Sequence, residues 1–312
     1  MQASNKPIKR KRRFRREDIP LFILAAPAVI WLLIFAYGPM AGVIIAFQNF
    51  NSVKGIFHSA FVGLKNFEFL FTTSSAFIIT RNTVLYNLVF IAFNIGMALL
   101  FAMMLTMVRN RRSSKVLQTV YMLPFFLSYA VLNIVVYAFL NSNYGVVNGI
   151  LSALGQPSNV NWYFQKSLWP PLLVFINAWR GVGYQTVLFL AVISGISKDY
   201  YEAALIDGAT TIQQARYITL PHLRFIVGIS IILASASLFR GDFGLFYVIT
   251  RNTGTLYPVT DVIDTFVYRG LTTLNNLGMT TAVGLYQSVV GLILVIVTNK
   301  IVKRIDPDSA MF

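Results

Sequence analysis

The sequence predicts an all-α integral membrane protein with six transmembrane helices and both termini on the cytoplasmic side. Three observations carry this reading. The chain of 312 residues is 56% hydrophobic and only 12% charged, whereas soluble domains run at about 45–50% apolar and about 25% charged. Six apolar runs are long enough for a bilayer core, which takes about 20 residues per helix. The basic residues gather at alternate ends of those runs.

With 26 Lys and Arg and 11 Asp and Glu, the charge is too sparse to solvate a soluble surface and too low for a disordered chain. The mean hydropathy of +0.64 agrees. The lack of cysteine removes disulfides, thiolate metal sites and a cysteine nucleophile. His58 and His222 are too few for a multi-histidine metal site. The net charge of +15 reads as a membrane-orientation signal rather than a nucleic-acid surface.

The first run spans about 21–48. It is too long for a signal-peptide core of about 7–15 residues, so it reads as a retained helix, kinked near Pro27 and Gly38-Pro39. The second runs over 83–108, the third over 115–140, the fourth over 168–197, the fifth over 223–249 and the sixth over 280–302. Backbone in lipid must satisfy its own hydrogen bonds, and runs of this length do so as helices, not as barrel strands. Lys6, Lys9, Arg10, Lys11, Arg12, Arg13, Arg15 and Arg16 precede the first run. Arg109, Arg111, Arg112 and Lys115 follow the second, and Lys300, Lys303 and Arg304 end the sixth. The connections 49–82, 141–167 and 250–279 are nearly neutral. All the basic clusters then face the cytoplasm, where the N-terminal tail also attracts anionic lipid.

No G-x-x-x-x-G-K-[ST], G-x-S-x-G or H-E-x-x-H motif occurs, so no catalytic site is read from this chain. Arg240-Gly241-Asp242 reads as a local ion pair near the outer end of a span. Asn87 and Asn94, seven apart in the second span, read as interhelical packing contacts.

The most informative connection is 199–221. Asp199 to Ile206 suits a short helix, Gly208 permits a turn with positive φ, and Thr210 with Gln213, or Thr211 with Gln214, can cap a second short helix. Pro221 is read as ending that helix and opening the next span. The result is an ordered knob of small residues, Ala203, Ala204 and Gly208, flanked by Glu202 and Asp207.

Glu202-Ala203-Ala204, then Gly208, then Ile218, Leu220 and Pro221 resemble the EAA loop of permease subunits in type I ABC importers, which share the MetI-like transmembrane fold. Asp207-Gly208-Ala209-Thr210, Asn143-Tyr144-Gly145-Val146-Val147-Asn148 and Trp179-Arg180-Gly181-Val182-Gly183-Tyr184 resemble the carbohydrate-uptake permeases. Tyr257-Pro258, the run from Asp261 to Thr265, Gly284 to Ser288 and Asn299 to Val302 resemble their LplB-like branch. The resemblance implies a cytoplasmic coupling surface of Glu202, Ala203, Ala204, Asp207, Gly208, Ile218, Leu220 and Pro221 that docks on an ATP-binding subunit. It implies a second homologous permease, two ATP-binding subunits carrying ATP and Mg2+, and an extracytoplasmic sugar-binding protein. No cofactor is expected in this chain, and the expected location is the bacterial cytoplasmic (inner) membrane.

A sugar site is expected on one face of the fourth span, where Asn177, Arg180, Gly181 and Tyr184 fall at i, i+3, i+4 and i+7. Amides and a guanidinium bond hydroxyls, glycine opens space, and tyrosine offers a ring and a hydroxyl. The segment is similar, without a gap, to the same span of the larger permease of the maltose importer, where the positions matching Asn177, Gly181 and Tyr184 line the sugar site. Arg180 has no counterpart there and points to an anionic, uronate-containing sugar or to a salt bridge with a partner. Asn133 and Tyr137 are secondary candidates in the third span.

The expected organisation is a basic tail (1–20), a first helix with its external loop (21–82), a core permease domain (83–302) containing the coupling loop, and a C-terminal tail (303–312). The expected function is ATP-driven import of oligosaccharides, including polysaccharide fragments. Import of another solute by the same machinery stays open. So does an ion-coupled carrier, which calls for an inverted repeat and buried acidic sites.

Overall fold

The computed structural model describes residues 19–108 and 110–305; the basic tail residues Lys6 to Arg16, Arg109 and the last seven residues lie outside them. A first helix, α1 (Ile19–Phe47), runs in α geometry through Pro27, passes into a π-turn over Leu33–Tyr37 and continues as 3-10 helix from Gly38. The expected irregularity at Gly38-Pro39 is thus a change of helix type. None of the residues Ile19–Leu32 is buried in this chain. A two-residue antiparallel ribbon follows, β1 (Gln48–Asn49) with β2 (Ala60–Phe61), in register Gln48 to Phe61.

The next helix, α2 (Ser74–Met107), starts nine residues before the apolar run does, capped by the Thr73 side chain, which accepts from Ala76 N at 3.2 Å. The third run is not one helix. It breaks into α3 (Arg111–Met122), a 3-10 turn through Pro124, and α4 (Tyr129–Leu140), with the two arms bent by 95°. Pro124 withholds a backbone donor, and Ser128 starts a new helix by accepting from Val131 N. At 1.5 Å per residue each arm is only about 18 Å long, so neither crosses a bilayer core alone.

The fourth run is α5 (Trp169–Ser194), followed after a 73° bend by α6 (Lys198–Ile206). The fifth helix is displaced from its expected position: α7 covers Thr211–Ser235, not 223–249. Pro221 does not end a helix. The chain widens to a π-turn over Ala215–Thr219, which accommodates the missing proline N–H and the ring's bulk against the preceding turn, and the helix continues. Beyond Ser235 the chain turns and re-forms only a π-turn over Gly244–Ile249. Finally come α8 (Ile263–Thr272) and α9 (Leu277–Ile305). Among the described residues four helices are long and apolar enough to cross a membrane, or up to six if each bent pair counts as one crossing.

The most extensive packing is between α2 and α5. Ala98 and Ala102, both 0% exposed, present a small-residue seam to Ala178, Val182 and Phe189; seams of this kind let helix backbones approach closely in lipid. At the other end Trp169, Leu173, Phe90, Leu132 and Phe246 form the larger core cluster. Gly183 shows how close α5 and α3 lie: a Cβ there would stand 1.9 Å from the Tyr121 carbonyl oxygen, a backbone atom. Gly183→Ala is therefore expected to lower stability by about 1–3 kcal/mol, read as a lower melting temperature of the purified protein. Gly181→Ala, whose Cβ meets nothing nearer than 3.7 Å, should leave it unchanged.

Candidate functional site

The exit from α7 is non-helical backbone between helices, and such backbone is tolerated inside a bundle only where its polar groups find partners. Here side chains supply them. Asn87 donates to Leu238 O at 3.1 Å and Arg240 O at 2.9 Å, as well as to Thr83 O. Gln287 on α9 donates to Phe239 O at 2.6 Å and to Asp264 at 2.9 Å. Gly241 N donates to the Asp264 carboxylate. Burial pushes the Asp264 carboxyl up, while these two donors and the charge of Arg240 pull it down.

Two glycines are required for the close approach. A Cβ on Gly241 would lie 2.5 Å from Val262 Cγ2, and one on Gly244 would lie 2.0 Å from the Tyr129 ring. The expected Arg240–Asp242 ion pair does not form; among the described residues the ion pair is Arg269–Asp261, at 2.6 Å. Asp242 instead accepts from the Tyr129 hydroxyl and from Leu245 N.

Around this exit opens a cavity of about 370 Å³. Asn87, Asn94, Asn177 and Gln185 line it from α2 and α5; Ser230, Ala234 and Ser237 line it from α7 and its exit, followed by Arg240, Gly241 and Asp242. Asn94 donates to Asn177 Oδ1 at 2.8 Å, and its own Oδ1 is buried without a partner. The lining is thus amides and hydroxyls on apolar walls, the chemistry that pairs with a polyhydroxylated solute.

Of the predicted substrate contacts, Asn177 lines the cavity and Gly181 borders it through Asn94. Tyr184 is 44% exposed and stacks on Phe125 with ring centroids 4.9 Å apart. Arg180 turns to the break between α3 and α4, donating to Leu127 O at 3.3 Å and to the Tyr129 hydroxyl at 3.0 Å. Asn133 and Tyr137 lie elsewhere. The Asn133 Oδ1 is buried without a partner, and Tyr137 meets Tyr163 edge-on under the Arg251 guanidinium. Burial pushes the Tyr163 phenol, in the connection before α5, up to about 12. Sequence reasoning did not assign Ser230 and Ser237 and read Arg240 as half of a local ion pair; all three fall inside the apolar run 223–249, which does not reveal that its helix ends at Ser235. The available signal was Ser230, Ser235 and Ser237, hydroxyls clustered in an otherwise apolar run.

At the opposite end of α7 stands the hairpin of α6 and the start of α7. Gly208 has φ +78°, and Gly208 N and Ala209 N donate to Leu205 O and Ala204 O, closing α6 with a left-handed cap. Thr210 and Gln213 form a reciprocal capping box. The Tyr201 hydroxyl bonds the Thr219 hydroxyl at 2.9 Å, tying α6 to the π-turn. Glu202, Ala203, Asp207, Gly208, Leu220 and Pro221 are exposed, and Ala204 and Ile218 half-buried. The knob is more apolar than its small residues alone predict: Ile206 is 87% and Ile212 74% exposed. Contact with protein or with membrane would cover apolar side chains this open on an ordered surface.

A bundle of apolar helices with a polar cavity and an ordered, exposed hairpin is the architecture of a membrane transport component. Residues 94–307 match the family model of the binding-protein-dependent transport system inner membrane component, and the chain belongs to that family. It is therefore a permease subunit and not itself an enzyme. It is 31% identical over 93% of its length, and 89% of the relative's, to the polygalacturonan/rhamnogalacturonan transport system permease protein YteP of Bacillus subtilis (strain 168). It is 31% identical over 94% of its length to protein LplB of the same organism, covering 92% of that chain. Its fold is similar, with TM-score 0.85 and 29% identity over 93% of this chain and 97% of the other, to a chain of a bacterial ABC transporter involved in the import of the acidic polysaccharide alginate.

The Asn87 clamp makes a direct prediction. Asn87→Leu or Asn87→Asp removes the donor to two carbonyls, at about 1–3 kcal/mol for each buried group left unpaired. Both variants should melt lower than wild type; an unchanged melting temperature would show that the clamp is dispensable.

Proposed function

We propose that this chain is one of two permease subunits of an ATP-driven importer of oligosaccharides, with uronate-containing polysaccharide fragments among them. The observation that carries the reading is the amide- and hydroxyl-lined cavity at one end of α7, with an ordered, partly apolar docking hairpin at the other. The relatives support it: one is named for polygalacturonan and rhamnogalacturonan transport. A bacterial alginate transporter with a chain similar to this one, at 29% identity and TM-score 0.84, has been solved in complex with an alginate pentasaccharide-bound periplasmic protein.

In this reading six crossings leave both termini in the cytoplasm, with the bent pair α3–α4 as the third crossing. An extracytoplasmic binding protein delivers sugar to the connections 49–82, 141–167 and 250–279. Glu202, Ala203, Ala204, Asp207 and Gly208 seat in an ATP-binding subunit, with Ile218, Leu220 and Pro221 carrying the motion into α7. ATP and Mg2+ act in those partner subunits. ATP-driven closure supplies the differential free energy between inward- and outward-open states, and α7 transmits it from hairpin to cavity. Asn177, Gly181 and Tyr184 meet the sugar along α5. Asp242 is the acid an ion-coupled carrier would need, but its oxygens are taken by Tyr129 and Leu245 N, which favours the ABC reading.

Two experiments test this. In the co-purified complex with binding protein, Glu202→Lys should abolish sugar-stimulated ATP hydrolysis, and Tyr184→Ala should reduce sugar uptake severalfold with basal hydrolysis intact. Normal transport by Glu202→Lys would overturn the coupling assignment. Because the chain has no cysteine, single cysteines report topology cleanly. Ala203→Cys should react with a membrane-impermeant maleimide only from the cytoplasmic side, and Gln156→Cys only from outside; labelling of both from one side contradicts six crossings.

A further inference from the structure

Two arginines stand near the cavity, and the structure gives them different work. Arg180 is already committed. Its guanidinium donates to Leu127 O and to the Tyr129 hydroxyl and lies 4.3 Å from the Tyr129 ring centroid. Tyr129 in turn bonds Asp242, so the charge of Arg180 is balanced inside the protein by an acid one phenol away. A substrate carboxylate at Arg180 would have to compete with that arrangement.

Arg240 is different. Its backbone is fixed, N–H to Ser237 O and carbonyl to Asn87, so its Cα is held in place at the cavity wall. Its side chain is exposed, and among the described residues its guanidinium has no hydrogen-bond or ion-pair partner. Asp264 senses its charge, but the Asp264 oxygen that is engaged takes Gly241 N and Gln287 instead. The acid on the cavity wall, Asp242, is tied to Tyr129. An exposed guanidinium on the cavity wall whose donors no side chain engages is available to a ligand. The planar guanidinium fork matches a carboxylate through two parallel hydrogen bonds. Neighbouring Asn177, Gln185 and Ser237 offer neutral donors and acceptors for sugar hydroxyls.

We propose that Arg240, and not Arg180, is the specificity-determining residue that receives a uronate carboxylate in the cavity. This rests on the oligosaccharide reading above and extends it to a residue and a charge.

The test uses the complete complex with its binding protein in proteoliposomes and two probes that differ only in charge: trigalacturonate and its fully methyl-esterified counterpart. Wild type should take up the acid in preference to the ester. Arg240→Gln should cut acid uptake by about tenfold or more, the scale of one lost charge-assisted contact, while ester uptake stays within about twofold. Arg240→Lys should recover part of the acid uptake, because the ammonium keeps the charge but not the fork. Equal loss for both probes, unchanged uptake of both, or failure of the partner permease to co-purify with Arg240→Gln would each overturn the assignment, the last by showing that Arg240 pairs across the subunit interface. Wild type that imports the ester but not the acid keeps the oligosaccharide reading and removes this one. Wild type that imports neither, with no stimulation of ATP hydrolysis, removes both.

Discussion

The structure depends on one constraint: backbone that leaves a helix inside the bundle must still find hydrogen-bond partners. The polar face of α2 supplies most of them. Asn82, Thr83, Tyr86 and Asn87 lie within one sector of the helix at 100° per residue. Asn82 donates to Asp261 O at 3.0 Å, Tyr86 to Val259 O at 2.8 Å, and Thr83 accepts from Ile263 N at 3.0 Å. Asn87 holds the exit of α7, and Asn94, further along the same face, reaches Asn177 on α5. Left unpaired in an apolar medium, each of these groups would cost on the order of several kcal/mol. The stripe therefore allows the chain to interrupt α7 and to run irregularly through 250–262 without unravelling the bundle.

The same interruption makes the cavity. The cavity opens where α7 ends at Ser235. By turning there the chain places Ser237, Arg240 and Asp242 on the wall and brings Gly241 against Val262 and Gly244 against Tyr129. The glycines are there for contact distance. Arg180 serves this architecture too: through Tyr129 and Asp242 it joins α5, the broken third element and the exit of α7 in one chain of polar contacts.

The cavity and the exposed hairpin are opposite ends of one helix. The π-turn at 215–219 lies between the hairpin and the straight part of α7, and the Tyr201–Thr219 bond pins α6 to it. A π-turn is a locally weaker stretch of helix hydrogen bonding and is common at functional sites. On the proposed function, it lies where displacement of α6 enters α7.

Much of the fold was legible in the chain. Long apolar runs located α1, α2, α5 and α9 because burial in lipid requires length and little else. The hairpin was legible nearly to the residue, since Gly208, Thr210 and Gln213 act through bonds to neighbours in sequence, and local chemistry needs no tertiary partner. The family resemblance rested on that same stretch. Other features were decided only by tertiary structure. An apolar run does not reveal where its helix breaks, so 115–140 and 223–249 read as continuous, although Pro124 and Gly241 were visible. Nor does a sequence show which of two arginines is neutralised: Arg180 looked available and Arg240 looked paired with Asp242, and the folded chain reverses both. The sequence by itself determined that this is a helical membrane protein with an ordered, exposed hairpin, because length, hydropathy and short-range capping are properties of adjacent residues. The cavity and its charge were set by contacts between residues more than a hundred positions apart, such as Asn87 with Arg240 and Tyr129 with Asp242.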